Sequence, residues 1–263
     1  MPPMEKISIA VIVRNEEKIL KYCLERITWA DEIVIIDQSS KDNTRGIAKE
    51  YTDKIFITPT QGTCNADRMF AISRCTFDWV FFLDADERVT PELQQEIKKI
   101  LKNPKEYTSF YLGRKNFFLG TWIKGGGWYP AYSIKLIKKG FAHFPSKVHC
   151  DGFPVGGKTG YLKEKTLHYT YDSIEQFFEK LDRFTTRSAE EAYHEGKRVN
   201  WDNFVYLSLA KPVFYFLRKY FLWLGLKDGM RGLFIAFSSS VTLFVHAVKI
   251  WELQQNVRNK RYL

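Results

Sequence analysis

Cysteine is scarce in this 263-residue chain. There are four, Cys23, Cys64, Cys75 and Cys150, with no CxxC pair and no zinc-site spacing. That excludes a disulfide scaffold and predicts reduced thiols in a cytosolic protein. Proline (9) and glycine (16) are too few for collagen-like or low-complexity sequence. No repeat of solenoid or propeller period is present. The opening Met1-Pro2-Pro3-Met4-Glu5-Lys6 is no secretion signal, so a cytoplasmic location is expected. Acidic residues are sparse in one region: residues 197–263 carry 11 Lys/Arg against 3 Asp/Glu, whereas residues 1–196 carry 29 against 27. A near-neutral body with a basic, aromatic tail needs a local explanation, and nucleic acid and an anionic membrane surface are the two candidates. The tail's aromatics sit in apolar runs and do not interleave with cations along a groove, which argues against nucleic acid.

Hydrophobic residues make up 45% and charged residues 27%, a globular composition. Apolar β-branched runs alternate with helical patterns in the first hundred residues. Ile7–Val13 and Ile33–Ile36 read as buried strands, Lys54–Thr58 as a third and Trp79–Leu83 as a fourth. Helices are expected after Arg14-Asn15-Glu16-Glu17, over Thr44–Tyr51, over Asn65–Cys75 with Asn65 as cap, and from Thr90-Pro91-Glu92 with Leu93, Ile97, Ile100 and Leu101 on its apolar face. This alternation predicts an α/β fold with a mostly parallel sheet covered by helices. Ligands bind at the carboxyl ends of such strands, where Asp37 and Asp84 stand.

From Phe110 to Leu167, glycine and aromatics dominate, with short strands expected at Ser133–Ile137 and Thr159–Leu162. Ser173–Tyr193 reads as a helix with a capping-box start and Ile174, Phe177, Phe178, Leu181 and Phe184 on one face. In the tail, Pro212–Leu226 and Gly232–Val248 stand out. The second is 17 residues without a charge, containing Ser238, Ser239, Ser240, Thr242 and His246. It is short and polar for a spanning helix, so amphipathic interfacial helices with Arg218, Lys219, Lys227 and Arg231 near lipid phosphates are expected. The expected organisation is an α/β body over 1–196 and a membrane-associating tail over 197–263.

Phe82-Leu83-Asp84-Ala85-Asp86-Glu87 is the sharpest chemical signal. Two carboxylates at i and i+2 follow a buried strand, on one face if the backbone stays extended. Charged groups there need partners, and a hard divalent cation shared with substrate phosphates is one. Asp37-Gln38-Ser39-Ser40-Lys41-Asp42-Asn43-Thr44 places a second acid where a strand enters a polar turn. Asp37 suits the N3–H of a uracil or a ribose hydroxyl, and Asp42 suits capping of the next helix.

Taken in order, the apolar strand with Arg14-Asn15-Glu16, then Ile33-Val34-Ile35-Ile36-Asp37 with Ser40, Asp42 and Thr44, then Phe82–Glu87 resemble the inverting family 2 glycosyltransferases of the GT-A (Rossmann-like) fold. Arg114-Lys115-Asn116-Phe117-Phe118-Leu119-Gly120, Gly126-Gly127-Trp128-Tyr129-Pro130, Val148-His149 and Leu167-His168-Tyr169 are similar to the lipopolysaccharide inner-core subgroup, the WaaE/KdtX type, as is the basic tail. The resemblance implies a UDP-sugar donor and Mn²⁺ or Mg²⁺. Asp37 would sit on the uracil, with Asn15 and Glu16 at the same nucleotide end. Asp84 would lie near the ribose or a metal-bound water, and Asp86 would be the direct metal ligand. Arg68 would approach the base or diphosphate. His168 is read either as a further ligand or as a packing residue.

An inverting transfer needs a general base for the acceptor hydroxyl. The subgroup tends to carry Glu directly after Val-His, where this chain has Cys150. Asp151 is the first candidate for the base and His149 the second. The subgroup often has an acid after Trp-Tyr-Pro, where this chain has Ala131. Trp122, Trp128 and Tyr129 are candidate acceptor-stacking residues. The expected reaction moves a sugar, glucose by expectation, from UDP to a lipid-linked saccharide such as the lipopolysaccharide inner core, with the enzyme peripheral on the inner face of the inner membrane. The alternatives are transfer to polyprenyl phosphate or to a protein side chain, and a non-catalytic nucleotide-sugar-binding module.

Overall fold

A computed structural model describes residues 4–60, 64–142 and 156–259. Its described residues form a nine-stranded mixed sheet of order β3-β2-β1-β4-β8-β6-β9-β5, with β7 paired to β6. The chain divides into two compact units, 1–115 with 131–169, and 116–130 with 170–263. The segments 116–130 and 170–196, expected with the body, therefore cluster with the tail.

In the first unit, β1 (Ile7–Val13), β2 (Glu32–Asp37), β3 (Ile55–Ile57) and β4 (Trp79–Asp84) are parallel. Side chains alternate across a strand. Ile7, Ile9, Val11 and Val13 therefore pack on one face, with Leu20, Cys23 and Leu24 of α1 (Leu20–Leu24) and Leu93, Ile97 and Leu101 of α4 (Pro91–Lys102). Ala10, Val34, Ile36, Val80 and Phe82 pack on the other, against Ala71 and Ile72 of α3 (Cys64–Arg74). Each large side chain in these layers contributes about 2 kcal/mol by burial. α2 spans Thr44–Lys49. Thr90 caps α4 as expected, its hydroxyl accepting from Leu93 N at 3.2 Å, with Pro91 in the first turn. α3 begins one residue before the expected cap, so Asn65 lies inside the helix.

The remaining strands run antiparallel. β5 is Glu87–Arg88, β6 Tyr107–Phe118, β7 Thr121–Trp122, β8 Ala131–Lys138 and β9 Lys158–Tyr171. The last is far longer than the strand expected at Thr159–Leu162, and it carries His168 opposite Glu87.

In the second unit, Ser173 caps α5 (Ile174–His194), accepting from Gln176 N at 3.0 Å. Phe177 is buried in a cluster with Phe118, Ile123 and Ile235. Ile174, Phe178 and Phe184, expected on the same apolar face, are exposed. The tail follows as α6 (Trp201–Val205), a π-helical turn (Tyr206–Ala210), α7 (Lys211–Leu217), a second π-helical turn (Arg218–Leu222), a 3₁₀ turn (Gly225–Asp228) and α8 (Gly229–Asn259). The uncharged run expected to be too short to span is part of this 31-residue helix. By length and composition alone the stretch Gly225–Gln255 suffices to cross a membrane, with a mean hydropathy of 1.7 in its most apolar window. α8 packs along α5 and α7.

Candidate active site

The carboxyl ends of β1 and β2 are joined by a zip of hydrogen bonds. Asn15, with a left-handed φ of 56°, donates its backbone N–H to Ser40 Oγ at 2.9 Å, and its side-chain oxygen accepts from Lys41 N at 2.8 Å. Glu16 N donates to Thr44 Oγ1 at 2.8 Å. Asp42, expected to cap α2, stands one residue before the N-cap position, which is Asn43. It accepts from the backbone N–H of Thr44 at 3.1 Å and of Glu17 at 3.1 Å. Those bonds hold its carboxyl below the usual range against desolvation. Asn15 and Glu16 thus tie two loops into one surface.

Asp37 is fully buried at the end of β2. Its Oδ1 accepts from Ser40 N at 3.0 Å and its Oδ2 lies 3.2 Å from Arg45 Nε. The carboxylate expected on a uracil is turned into the protein, where it fixes the Ser39–Arg45 turn.

At the end of β4 the two acids part. The chain turns at Ala85-Asp86 before β5, so the extended backbone that would align them does not persist. Asp84 Oδ2 accepts from Lys135 Nζ at 2.7 Å. Lys135, 1% exposed on β8, also donates to Glu87 Oε2 at 2.8 Å, and Glu87 Oε2 accepts from Asp84 N at 3.1 Å. Desolvation opposes the charge on Asp84, but Lys135 and Arg68 outweigh it and hold the carboxyl well below the usual range. Burial lowers the Lys135 pKa less than Asp84 and Glu87 raise it, so the ammonium stays charged. Arg68, on α3, lies over the Phe82 ring at 6.0 Å. Its charge is felt by Asp84.

Asp86 turns the other way. His168 Nε2 stands 3.4 Å from Asp86 Oδ2, and Tyr169 N donates to Asp86 O at 2.9 Å. The pairing of β5 with β9 makes this contact. Asp84, Asp86 and His168 do not converge as a three-residue metal set, and no such set occurs among the described residues. The reason is Lys135, which occupies Asp84. A carboxylate and an imidazole together suit Mn²⁺ or Mg²⁺ when a substrate diphosphate supplies the other oxygens. The donor set fits a metal shared with substrate and does not make a closed structural site.

Sequence reasoning passed over Lys135 and Glu87. Glu87 stood within the acidic motif, but nothing in the sequence tied a lysine near residue 135 to it. Trp122, Trp128 and Tyr129 belong to the second unit. Trp128 packs with Phe118 and Tyr171, and Trp122 meets Tyr129 edge-on at 5.2 Å. All three are half-buried in these contacts. The candidate bases His149 and Asp151 lie outside the described residues.

The sequence model of glycosyl transferase family 2 matches residues 8–184. The chain belongs to this family. The parallel β3-β2-β1-β4 half joined to antiparallel strands is the GT-A arrangement expected of a family 2 glycosyltransferase. The lipopolysaccharide core biosynthesis glycosyltransferase LpsC of Rhizobium meliloti is 27% identical, over 96% of this chain and 94% of that protein. An uncharacterised glycosyltransferase of Rickettsia typhi is 28% identical over 97% and 90%. Among solved structures, residues 1–349 of S. aureus TarS in complex with UDP-GlcNAc align with a TM-score of 0.46 at 13% identity, covering 91% of this chain and 81% of that one. Glucosyl-3-phosphoglycerate synthase from Mycobacterium tuberculosis, with Mn²⁺, UDP-glucose and phosphoglyceric acid, aligns at 0.45 and 12%, covering 66% and 74%.

Proposed function

We propose that this family 2 glycosyltransferase moves a sugar, glucose first among candidates, from a UDP-sugar to a hydroxyl of a lipid-linked saccharide, with inversion at the anomeric carbon. The observation that carries the reading is the Asp86–His168 pair beside the Lys135-held Asp84, at the carboxyl end of β4. Asp86 and His168 would hold Mn²⁺ or Mg²⁺, and Arg68 would supply a fixed positive charge for the diphosphate. The metal, when bound, offsets the charge that develops on the leaving UDP. Asn15, Glu16 and the turn built on Asp37 form the nucleotide end. Asp151, or else His149, takes the acceptor proton; this assignment rests on the sequence alone. Similarity to LpsC favours the lipopolysaccharide core as acceptor.

The tail places the enzyme on an anionic membrane surface, peripheral on the inner face of the inner membrane. Along α8, Met230, Leu233, Phe237, Phe244, Val248 and Trp251 are exposed at helical spacing. The opposite side, with Ala247 and Ile250, is buried. Lys249 is salt-bridged to Asp182 of the charged helix α5 at 2.6 Å. A helix bound lengthwise to such a partner suits the interface better than the bilayer core.

UDP release from a panel of UDP-sugars, with Mn²⁺ and with EDTA, tests the donor half. Metal-dependent hydrolysis of one donor names the sugar. The absence of both turnover and UDP binding for every donor would overturn the reading.

A further inference from the structure

Lys219 stands on the π-helical turn Arg218–Leu222 in the second unit. It is 8% exposed. Among the described residues its ammonium donates no hydrogen bond and meets no carboxylate, and the nearest charge-stabilising group recorded for it is the Tyr215 ring, 5.5 Å away. Burial alone pushes its pKa down to about 8. A buried cation without an anion is expensive, so an anion that reaches it gains a strong partner. The neighbouring Arg218 holds its guanidinium carbon 4.3 Å from the centre of the Trp223 ring, a second cation on the same turn. π-helical turns of this kind occur often at functional sites.

The surroundings say which anion. Phe214, Leu217, Phe221 and Leu222 are all exposed on the same or adjacent turns, Leu222 at 73%. A freely soluble anion gains nothing from that apolar rim. A lipid gains twice, through its phosphate at the cations and its acyl chains at the rim. The tail's 11 Lys/Arg against 3 Asp/Glu complement an anionic headgroup region.

We propose that Lys219, with Arg218 beside it, forms a binding site for the phosphate of a membrane lipid headgroup. This rests on the membrane reading above and goes beyond it, since it replaces diffuse attraction by one built phosphate site. Lys219 acts there as a charge-assisted donor, which is stronger than a neutral hydrogen bond.

The test uses the full chain and vesicles of phosphatidylcholine with and without phosphatidylglycerol. Wild type is compared with Lys219→Met, Lys219→Arg and the control Lys102→Gln, an exposed lysine outside the tail. The expected result is a loss of about tenfold or more in affinity for the anionic vesicles in Lys219→Met, retention in Lys219→Arg, and little change in Lys102→Gln. A second readout needs no variant. Acetic anhydride at pH 8 labels Lys219 in the free protein, and anionic vesicles protect it while millimolar inorganic phosphate does not. Equal binding by Lys219→Met and Lys102→Gln, or equal protection by inorganic phosphate, overturns the lipid-phosphate site and leaves membrane association standing. Failure of the wild type to bind any vesicle overturns the membrane reading and the site with it.

Discussion

His168 lies 3.4 Å from Asp86 because β9 runs antiparallel to β5 and sets His168 opposite Glu87, the residue after Asp86. A two-residue strand after the acidic motif thus delivers an imidazole to a carboxylate distant in sequence. If the two share a metal with a diphosphate, each removal has its own signature. Asp86→Ala should lower donor turnover about a thousandfold, in line with several kcal/mol of lost charge stabilisation. His168→Ala should weaken Mn²⁺ dependence more than turnover at saturating metal. Titration of UDP release against Mn²⁺ checks both, and a His168→Ala curve superimposable on wild type would reduce the histidine to packing.

Lys135 holds Asp84 and Glu87 at once. Lys135→Met leaves Glu87 fully buried beside Arg114, whose Nη1 is 3.9 Å away, with no closer cation among the described residues. Removing one member of a buried pair costs about 3–5 kcal/mol, so the thermal midpoint should fall by roughly 10 °C. Lys135→Arg should recover part of that loss. The donor KM should rise in the arginine variant even at temperatures where it is fully folded, because Asp84 is then held differently. A Lys135→Met protein as stable as wild type by calorimetry would remove the pair from the account.

The parallel half of the sheet was legible because β1, β2 and β4 are short, mostly apolar runs, each followed by a polar turn. The cap at Thr90 was legible because its signal is local. The Asp84–Asp86 geometry was not. Reading i and i+2 as one face assumed extended backbone, whereas the chain turns between them, so one carboxylate meets Lys135 and the other His168. Both partners come from antiparallel strands, and the register of such pairings is set by the whole sheet and not by nearby sequence. Asp37 was found at its expected place but facing inward, since Arg45, eight residues on, returns to it through the turn.

Glu32 sits at the other end of β2, buried, and accepts from Lys54, from Ser8 and from Thr76 N at 2.8 Å. Desolvation raises its pKa, but these partners more than reverse that and bring it down to about 2 from 4.5. A carboxyl depressed in the folded state stabilises it above the unfolded value, and that contribution is lost as pH falls from about 4.5 through about 2. The loss amounts to about 3 kcal/mol. Urea midpoints measured across that range should fall steeply in wild type. Glu32→Gln should start lower at pH 7 and show a flatter slope. Parallel slopes would assign the acid sensitivity to other carboxyls.

Met230, Phe237, Phe244 and Trp251 recur at heptad spacing on the exposed side of α8, while Lys249 on the same helix is tied to Asp182. Phe237 and Phe244 are 61% and 43% exposed, so charging them leaves the buried packing of α8 on α5 intact. Burial of a phenylalanine side chain contributes about 1.5–3 kcal/mol, so Phe237→Asp with Phe244→Asp should weaken vesicle binding at least about a hundredfold. Salt acts on the other half of the attraction. Raising ionic strength from about 0.1 M to about 1 M shortens the screening length from roughly 10 Å to roughly 3 Å, and it should release wild type from anionic vesicles only in part. A peripheral protein is extracted from membranes by alkaline carbonate, and a spanning one stays. Retention after carbonate would mean that α8 crosses the bilayer, as its length and composition permit. Release after carbonate and loss of binding in the double variant would place the stripe at the interface, where Lys249 keeps its salt bridge in water.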